Sequence, residues 1–296
     1  MTSSSVNRLS QFLGEELSAA ENACDSALFE ILCCGLEKTV SYGTGTAAGP
    51  AAIIAASHQL ERLIDTEEPC RHGLFTHPPL DTSGPIEQVL DLLRHQVAAC
   101  LARGHIPVTL GGEHSLTYGA VMGVKDSLGA PFGILQIDAH ADLRTAYQGQ
   151  PHSHASVMQL CSEAGIPVYQ LGVRAFCTEE AEARARYNIG FRDAAELVRR
   201  QIAECDLPDG FPEQIYISFD LDGLDPSVLP ATGTPVPGGL GFYQALDLVS
   251  SACRGRRIVG LDVVELAPSP AHPASDFTAA LISYHLIAIA ARSRGL

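Results

Sequence analysis

Short apolar runs alternate with helical periodicity through most of the chain. The runs cover residues 106–110, 132–137, 168–173, 215–219 and 258–264. They are continuously apolar rather than alternating, as expected for strands that are buried on both faces of a parallel sheet. Helical patterns at 178–187 and 194–204 supply the crossovers that parallel strands require. The pattern therefore predicts an α/β fold, with helices on both faces of the sheet.

The first third of the chain has a helical pattern. Residues 86–103 carry an apolar stripe, and Gly49-Pro50 precedes a second apolar helix with proline in its first turn. Residues 1–36 are interpreted as a helical arm, because Leu9, Phe12, Leu13 and Leu17 are spaced for one helix face. No repeat or long linker interrupts the chain, so we predict a single domain over residues 1–296, with 1–36 as its arm.

Composition excludes several classes of protein. A formal net charge of −15 over 296 residues disfavours binding to nucleic acid or to an anionic membrane. The N-terminus lacks the basic start and apolar run of a signal peptide. The apolar stretch that begins at Leu281 is too short to span a bilayer. Nine cysteines occur without any C-x-x-C pair, which favours the reducing cytoplasm over a disulfide framework.

Three polar segments directly follow predicted strands. They are Gly111-Gly112-Glu113-His114-Ser115, Asp138-Ala139-His140-Ala141-Asp142 and Asp220-Leu221-Asp222-Gly223. In open α/β sheets, ligands bind at the carboxyl ends of the strands. If the backbone stays extended, the alternate residues of each D-x-D pattern point the same way. Buried carboxylates at these positions need compensation, which a divalent cation supplies directly.

The donor set favours two metal ions. Six candidate ligands supply four carboxylates and two imidazoles, and they are His114, Asp138, His140, Asp142, Asp220 and Asp222. Oxygen donors with some imidazole favour Mn(II) over Zn(II), and Ni(II) or Co(II) could use the same ligands. Four negative charges balance two divalent ions, and such a pair lowers the pKa of a water held between them.

The motifs GGEHS, DAHADLR and SFDLDGLDPS, in this order, resemble the metal-binding motifs of the ureohydrolase family, which includes arginase and agmatinase. SYGTGTAAGP at Ser41, GQPHSHASVM at Gly149, ATGTPVPGGL at Ala231 and GLDVVELAP at Gly260 resemble further family segments. The resemblance runs from about residue 38 to the C-terminus. It implies a three-layer arginase-like α/β fold, with a parallel sheet of about eight strands.

The resemblance also implies roles for individual residues. His154 matches the proton-shuttling histidine, and Glu265 matches the glutamate that accepts the substrate guanidinium. Both roles suit the chemistry, because histidine is tuned for proton transfer and a carboxylate pairs with guanidinium through two hydrogen bonds. His152 is close enough to be confused with His154, but the Ser-His-Ala context favours His154. Asp225 is either an orienting residue behind the ligands or part of a turn.

The implied reaction is release of urea from a small cationic guanidino compound, most similar to conversion of agmatine to putrescine in polyamine biosynthesis. Arg144 leaves open a guanidino acid such as 4-guanidinobutyrate, and arginine is a further alternative. The proline-rich loop at 268–273 is predicted to form an altered wall near the pocket. The family also implies a homo-oligomer, a trimer or a hexamer. Two other classes stay open, namely a single-zinc deacetylase and a non-catalytic binding protein with the same fold.

Overall fold

The computed structural model describes residues 10–296, and the named strands in that range form one parallel sheet. The strands are β1 (Phe29–Cys34), β2 (Leu74–Thr76), β3 (Ile106–Gly111), β4 (Phe132–Ile137), β5 (Val168–Leu171), β6 (Gly190–Arg192), β7 (Gln214–Asp220) and β8 (Arg257–Val264). Their order across the sheet is β2-β1-β3-β8-β7-β4-β5-β6. The predicted α/β fold with about eight parallel strands is confirmed.

Helices cover both faces of this sheet. They are α1 (Gly49–Ser57), α2 (Ile86–Ala102), α3 (Leu116–Ser127), α4 (Val157–Glu163), α5 (Thr178–Arg186), α6 (Ala194–Arg199), α7 (Phe242–Ala252) and α8 (Pro273–Arg292). The helices α1, α6, α7 and α8 contribute to the core on one face, and α2 to α5 contribute to the core on the other. Alternate residues of one strand enter the two cores: Ile215 and Ile217 enter the first, and Tyr216 enters the second. This double burial explains the continuous apolar runs.

The strand order brings the polar segments together. The neighbouring strands β3, β8, β7 and β4 form the middle of the sheet. In the register of the sheet, Ile137 at the end of β4 lies beside Phe219 near the end of β7, and Asp220 lies beside Val264 at the end of β8. Because all four strands are parallel, the segments that follow them emerge at one edge of the sheet.

The expected helical arm over residues 1–36 is not what the structure shows. Residues 1–9, including Leu9, lie outside the described range. From residue 10 to 36 there is no α-helix, only turns, a short 3₁₀ helix at Gly14–Glu16, and strand β1. Leu13 has a φ of 62°, in the left-handed region that interrupts an α-helix. A short apolar run fits a strand or a buried helix equally well. The spacing of apolar residues in this segment was therefore not enough to identify a helix.

The last helix is longer than the apolar stretch suggested. Helix α8 has 20 residues, and an 18-residue window within it has a mean hydropathy of 1.4, which meets the length and composition of a membrane span. However, 67% of its apolar window is buried inside the protein, where it contacts α1, α7 and β8. Its apolar character is therefore accounted for by packing in the core.

Candidate metal centre and substrate cavity

The first group of candidate ligands surrounds His114, which lies in the turn between β3 and α3. Its Nδ1 atom lies 2.8 Å from an oxygen of Asp142, 3.1 Å from one of Asp138 and 3.3 Å from one of Asp220. His114, Asp138 and Asp220 are all buried, and their donor atoms lie within 4.8 Å of one another. Carboxylates at the ends of β4 and β7 thus lie around an imidazole nitrogen from the turn after β3.

A second group shares one member with the first. His140 Nδ1 lies 3.0 Å from Asp222 and 3.6 Å from Asp138, and these three residues also have donor atoms within 4.8 Å of one another. Asp138 belongs to both groups, so its carboxylate would contribute to holding both ions if two were bound. The six predicted ligands therefore lie together in the structure.

The orientation of His114 is decided by a buried network behind it. Ser218 donates its hydroxyl hydrogen to Asp262 at 2.9 Å, so its oxygen accepts from His114 Nε2–H at 2.8 Å. Asp262 also accepts hydrogen bonds from Thr117 and Tyr216, each at 2.8 Å. With hydrogen on Nε2, the lone pair of His114 is on Nδ1, which is buried without a hydrogen-bond partner. An orphaned imidazole lone pair facing three carboxylates fits a metal ion.

Electrostatics support the same conclusion. Burial and the nearby carboxylate of Asp138 raise the pKa of Asp142 to about 7. Burial and the carboxylates of Asp222 and Asp138 raise the pKa of Asp220 well above its usual value. Carboxylates that cannot all ionise in a buried space are stabilised in their charged forms by cations. The four carboxylates outnumber the two imidazoles of His114 and His140, so bound cations would balance the remaining negative charge.

The local backbone departs from the expected alternation. Strand β4 ends at Ile137, and Asp142 has a φ of 54°, so the second motif is not extended throughout. Glu265 likewise has a φ of 67° directly after β8. Left-handed backbone at residues other than glycine is strained and is concentrated at functional sites. Here it turns both carboxylates toward His114, since Asp142 contacts its Nδ1 and Glu265 accepts its backbone N–H at 2.7 Å.

A cavity of about 420 Å³ opens beside the ligands. Its lining includes His140, Asp142 and His154 together with Arg144, Tyr147 and Glu180. Burial lowers the pKa of His154 from its ordinary value. His152 contacts Glu87 and Tyr118 instead and lines a different cavity. The structure thus places His154, and not its neighbour, beside the candidate ligands.

The segments that contain Gly43 and Gly233 pack against each other next to Glu265. Gly43 donates its backbone N–H to Gly233 at 3.0 Å, and a Cβ on Gly43 would lie 2.8 Å from the Gly233 backbone. A Cβ on Gly233 would lie 3.8 Å from Glu265 Oε2. The absence of side chains therefore lets both loops approach each other above the carboxylate. Burial raises the pKa of Glu265 to about 8, so a cation placed beside it would be stabilised.

Several residues that support the site were not identified from the sequence. Thr234 donates to Asp222 at 3.1 Å, and Arg174 donates to the carbonyl oxygens of Asp222 at 2.7 Å and Val236 at 2.7 Å. These bonds fix the loop after β7 against the segment that carries Thr234. Asp262 was overlooked because it lies inside an apolar strand. A charged residue in such a strand was the signal that could have found it.

Other expectations are resolved by their contacts. Asp225 accepts from Ser227 and from the backbone of Gly238 and Gly239, so it anchors a turn. The Arg144 Nε atom lies 4.0 Å from Glu180 Oε2, and its guanidinium lies 5.5 Å from the centre of the Tyr147 ring. The loop at 268–273 is mostly exposed and is not among the residues lining the described cavity, contrary to expectation.

Cys161 and Cys177 are two cysteines near the site. Cys161 is fully buried, and burial raises its thiol pKa to about 12, which keeps it protonated and unreactive. Cys177 lines the cavity, where its backbone N–H donates to Glu180 at 2.8 Å.

A further cluster of possible ligands contains Cys24, Glu30 and His77. Glu30 is fully buried in β1 and already pairs with Arg103, His77 and His105. The guanidinium compensates the carboxylate, so this cluster is explained as an ion-pair network. His77 and His105, which had no motif context, thus have a structural role.

A parallel sheet that carries two linked carboxylate and imidazole groups at its carboxyl edge defines a metal-dependent hydrolase. The sequence model of the Arginase family matches residues 27–289, and the chain belongs to this family. It is a ureohydrolase, most similar to the agmatinase-type enzymes.

Individual relatives support this placement. The chain is 34% identical over 270 residues to the N(1)-aminopropylagmatine ureohydrolase of Synechocystis sp., covering 85% of each chain. It is 30% identical to the agmatinase of Pyrococcus horikoshii, covering 86% of this chain and 89% of that one. Among solved structures, the agmatine ureohydrolase of Thermoplasma volcanium is 28% identical with a TM-score of 0.80, covering 93% and 94% of the two chains.

Proposed function

We propose that this protein is a binuclear manganese hydrolase that releases urea from agmatine and yields putrescine. The observation that carries the proposal is the pair of ligand groups joined at Asp138. One group would hold an ion through His114, Asp138 and Asp220, with Asp142 beside it, and the other through Asp138, His140 and Asp222. Carboxylate oxygen with imidazole nitrogen favours Mn(II). When bound, the two ions would supply Lewis-acid activation of the water that attacks the guanidinium carbon.

Glu265 is proposed to orient the substrate. One of its oxygens accepts the His114 backbone N–H, and each carboxylate oxygen has a second lone pair. Its buried carboxylate lacks a cationic partner among the described ion pairs, and a planar guanidinium would supply that charge through two hydrogen bonds. The raised pKa, about 8, would fall once the guanidinium arrives, because an adjacent cation favours the ionised carboxylate.

His154 is proposed to hold the proton that the leaving amine needs. It lines the same cavity as His140 and Asp142. The amine that departs from a guanidino group requires a proton, and an imidazolium is the side chain suited to donate it near neutral pH. His154 is therefore assigned to proton transfer and not to metal binding.

The agmatine assignment is supported by the similarity to the agmatinase of Pyrococcus horikoshii. The 4.0 Å approach of Glu180 to Arg144 supports a structural ion pair rather than a free carboxylate receptor. A guanidino acid is the alternative that a free Arg144 would favour, and arginine is another. The complete ligand set and the family membership argue against the single-zinc deacetylase and the non-catalytic protein.

A longer substrate is a second candidate. The relative from Synechocystis sp. is named for N(1)-aminopropylagmatine. Tyr147 lines both the 420 Å³ cavity and an adjacent cavity of about 380 Å³, whose lining includes the carboxylate of Glu87. A cationic tail extended past Tyr147 would therefore meet the carboxylate of Glu87, in a lining that also includes Lys38.

The deciding experiment measures urea release and bound metal in the same preparation. Mn(II)-loaded protein is assayed with agmatine, N(1)-aminopropylagmatine, arginine, 4-guanidinobutyrate and 3-guanidinopropionate, while metal content is measured by plasma emission spectroscopy. We expect two ions per chain and the highest kcat/KM with agmatine. Preference for the aminopropyl compound would favour the second candidate, and preference for a carboxylate substrate would assign Arg144 to its recognition. If none of the five substrates released urea while two metal ions were bound, the proposed reaction would be refuted.

The remaining proposals concern assembly and location. We propose a homo-oligomer, a trimer or a hexamer, in the cytoplasm. Family resemblance supports the assembly, and cysteine usage supports the compartment, because nine unpaired thiols suit a reducing environment. Light scattering after size-exclusion chromatography would measure the subunit number, and a monomer would contradict the first proposal.

A further inference from the structure

A chain of hydrogen bonds reaches His154 from the metal-binding turn. Glu113, which precedes His114, is fully buried. Its Oε2 atom accepts the backbone N–H groups of Lys38 and Thr39, each at 2.6 Å, and its Oε1 atom accepts the hydroxyl of Ser115 at 2.6 Å. The Thr39 hydroxyl lies 3.0 Å from the same Oε1 atom and 3.1 Å from His154 Nδ1. Glu113 thus positions Thr39, and Thr39 contacts the proposed proton donor.

The direction of these bonds follows from counting hydrogens. A carboxylate only accepts, and the Thr39 hydroxyl has one hydrogen to donate. A hydrogen bond to a charged oxygen is about twice as strong as a neutral one, so the hydroxyl donates to Glu113. Its oxygen can then only accept, and it already accepts the backbone N–H of His154 at 3.1 Å. The remaining lone pair faces His154 Nδ1, which must therefore carry a hydrogen.

We infer that Thr39 is a positioning residue that holds His154 in the Nδ1–H form and leaves Nε2 as the nitrogen that gains and releases the catalytic proton. This inference rests on the proposed role of His154 in urea release. Ser153 is a weaker partner, because its hydroxyl lies 3.5 Å from Nδ1 and accepts the Ala155 backbone N–H at 3.2 Å. Among the described residues, no hydrogen bond is formed by His154 Nε2, which is the nitrogen on the far side of the ring from Thr39.

The same contact stabilises the charged ring. An oxygen that accepts from Nδ1–H and is itself polarised by a carboxylate favours the imidazolium form. Burial opposes protonation of His154 and Glu113 favours it, and His114 and His140 are the other titratable groups that act on the ring. The ring of Tyr147 packs edge-on at 5.7 Å. Removing the hydroxyl of Thr39 therefore removes one of the few interactions that favour the protonated ring.

Thr39→Val removes the hydroxyl and with it the contacts to Glu113 Oε1, to His154 Nδ1 and to the His154 backbone N–H. Valine keeps the shape of threonine and retains the backbone N–H that binds Glu113, so the segment stays anchored. We expect kcat to fall about tenfold or more with little change in KM, because proton transfer typically contributes 10²–10⁴-fold. The limb of the kcat profile that reports protonated His154 should move to lower pH. Thr39→Ser should restore both, because it restores the hydroxyl.

The tautomer is measured independently of activity. Protein labelled with ¹⁵N-histidine and loaded with diamagnetic Mg(II) gives long-range correlations that distinguish Nδ1–H from Nε2–H, and His154→Gln assigns the signal. We expect Nδ1–H in the wild type and in Thr39→Ser, and a shift toward Nε2–H in Thr39→Val. Thr82→Val is the matched control, since its hydroxyl contacts only the Gly35 carbonyl at 3.3 Å.

The outcomes separate this inference from the proposed function. An Nε2–H tautomer in the wild type, or an unchanged tautomer and pH profile in Thr39→Val, would overturn the role of Thr39 even if urea is released. Absence of urea release with every guanidino substrate would refute the proposed function, while the tautomer would still test the hydrogen-bond chain. A fall in kcat without any shift in pH profile, accompanied by loss of metal, would assign Thr39 a merely structural role.

Discussion

Ser218→Ala tests whether the network behind His114 prepares that residue for metal. Ser218 lies in β7, where its oxygen accepts His114 Nε2–H at 2.8 Å and its hydroxyl donates to Asp262 at 2.9 Å. All three side chains are buried. Alanine removes the acceptor and leaves the Asp262 carboxylate with its two other donors, Thr117 and Tyr216. The substitution therefore acts on the imidazole much more than on the carboxylate.

The magnitude follows from the options left to His114. Keeping hydrogen on Nε2 leaves a buried donor unpaired, which costs about 1–3 kcal/mol. Moving the hydrogen to Nδ1 avoids that cost, because Asp142 lies only 2.8 Å away, but it blocks the lone pair that a metal needs. Partners of this kind typically change metal affinity about 10–100-fold. That range corresponds to about 1.4–2.7 kcal/mol, which agrees with the cost of the unpaired donor.

The assay is a competitive titration of Mn(II) against a fluorescent chelator. We expect Ser218→Ala to bind one of its two ions about 10–100-fold more weakly, while the second ion, held by the group of His140 and Asp222, is less affected. Ser283→Ala is a matched control, because that buried hydroxyl bonds only the Ala279 carbonyl in α8, at 2.8 Å. Two ions bound by Ser218→Ala with wild-type affinity would refute the reasoning.

Three further substitutions separate the proposed roles. Asp138→Asn should lose both ions and all urea release, because both ligand groups share this carboxylate. If emission spectroscopy still found one full equivalent of Mn(II), the Asp138 carboxylate would not be needed by both ions. His154→Ala should keep both ions while kcat falls about 10²–10⁴-fold in a steady-state urea assay, and wild-type turnover would remove its role in proton transfer. Glu265→Gln should lower kcat/KM about 30-fold or more by weakening the pairing with the guanidinium, and unchanged kinetics would contradict that pairing.

Most strands buried on both faces were predictable, and the two short strands at the sheet edges were not. The runs that became β3, β4, β5, β7 and β8 are continuously apolar, because helices cover both sides of each strand. Strands β2 and β6 have only three residues each, too few to show a pattern. Strand β1 is buried along its whole length, but it was assigned to a helical arm because the spacing of Leu9, Phe12, Leu13 and Leu17 was extended over all of residues 1–36. Only the tertiary fold supplies the Arg103 and histidine partners that allow Glu30 to be buried.

The clustering of the six candidate ligands was predictable for a related reason. Carboxylates and imidazoles that directly follow apolar strands of a parallel sheet must converge at one edge, so sequence position determined their neighbourhood. The residues that act through other residues carried no such signal. Thr39 and Glu113 are 74 positions apart in sequence, and their contact exists only because the turn after β3 meets the segment after β1.

By itself, the sequence determined the parallel α/β class, the six candidate ligands and the family, because apolar periodicity and local motifs depend on nearby residues only. Tertiary structure alone decided which nitrogen of His114 faces the carboxylates, which side chains hold His154 and which loops wall the cavity. Those features depend on hydrogen-bond direction and on contacts between distant segments. Neither is specified until the strands have taken their order in the sheet.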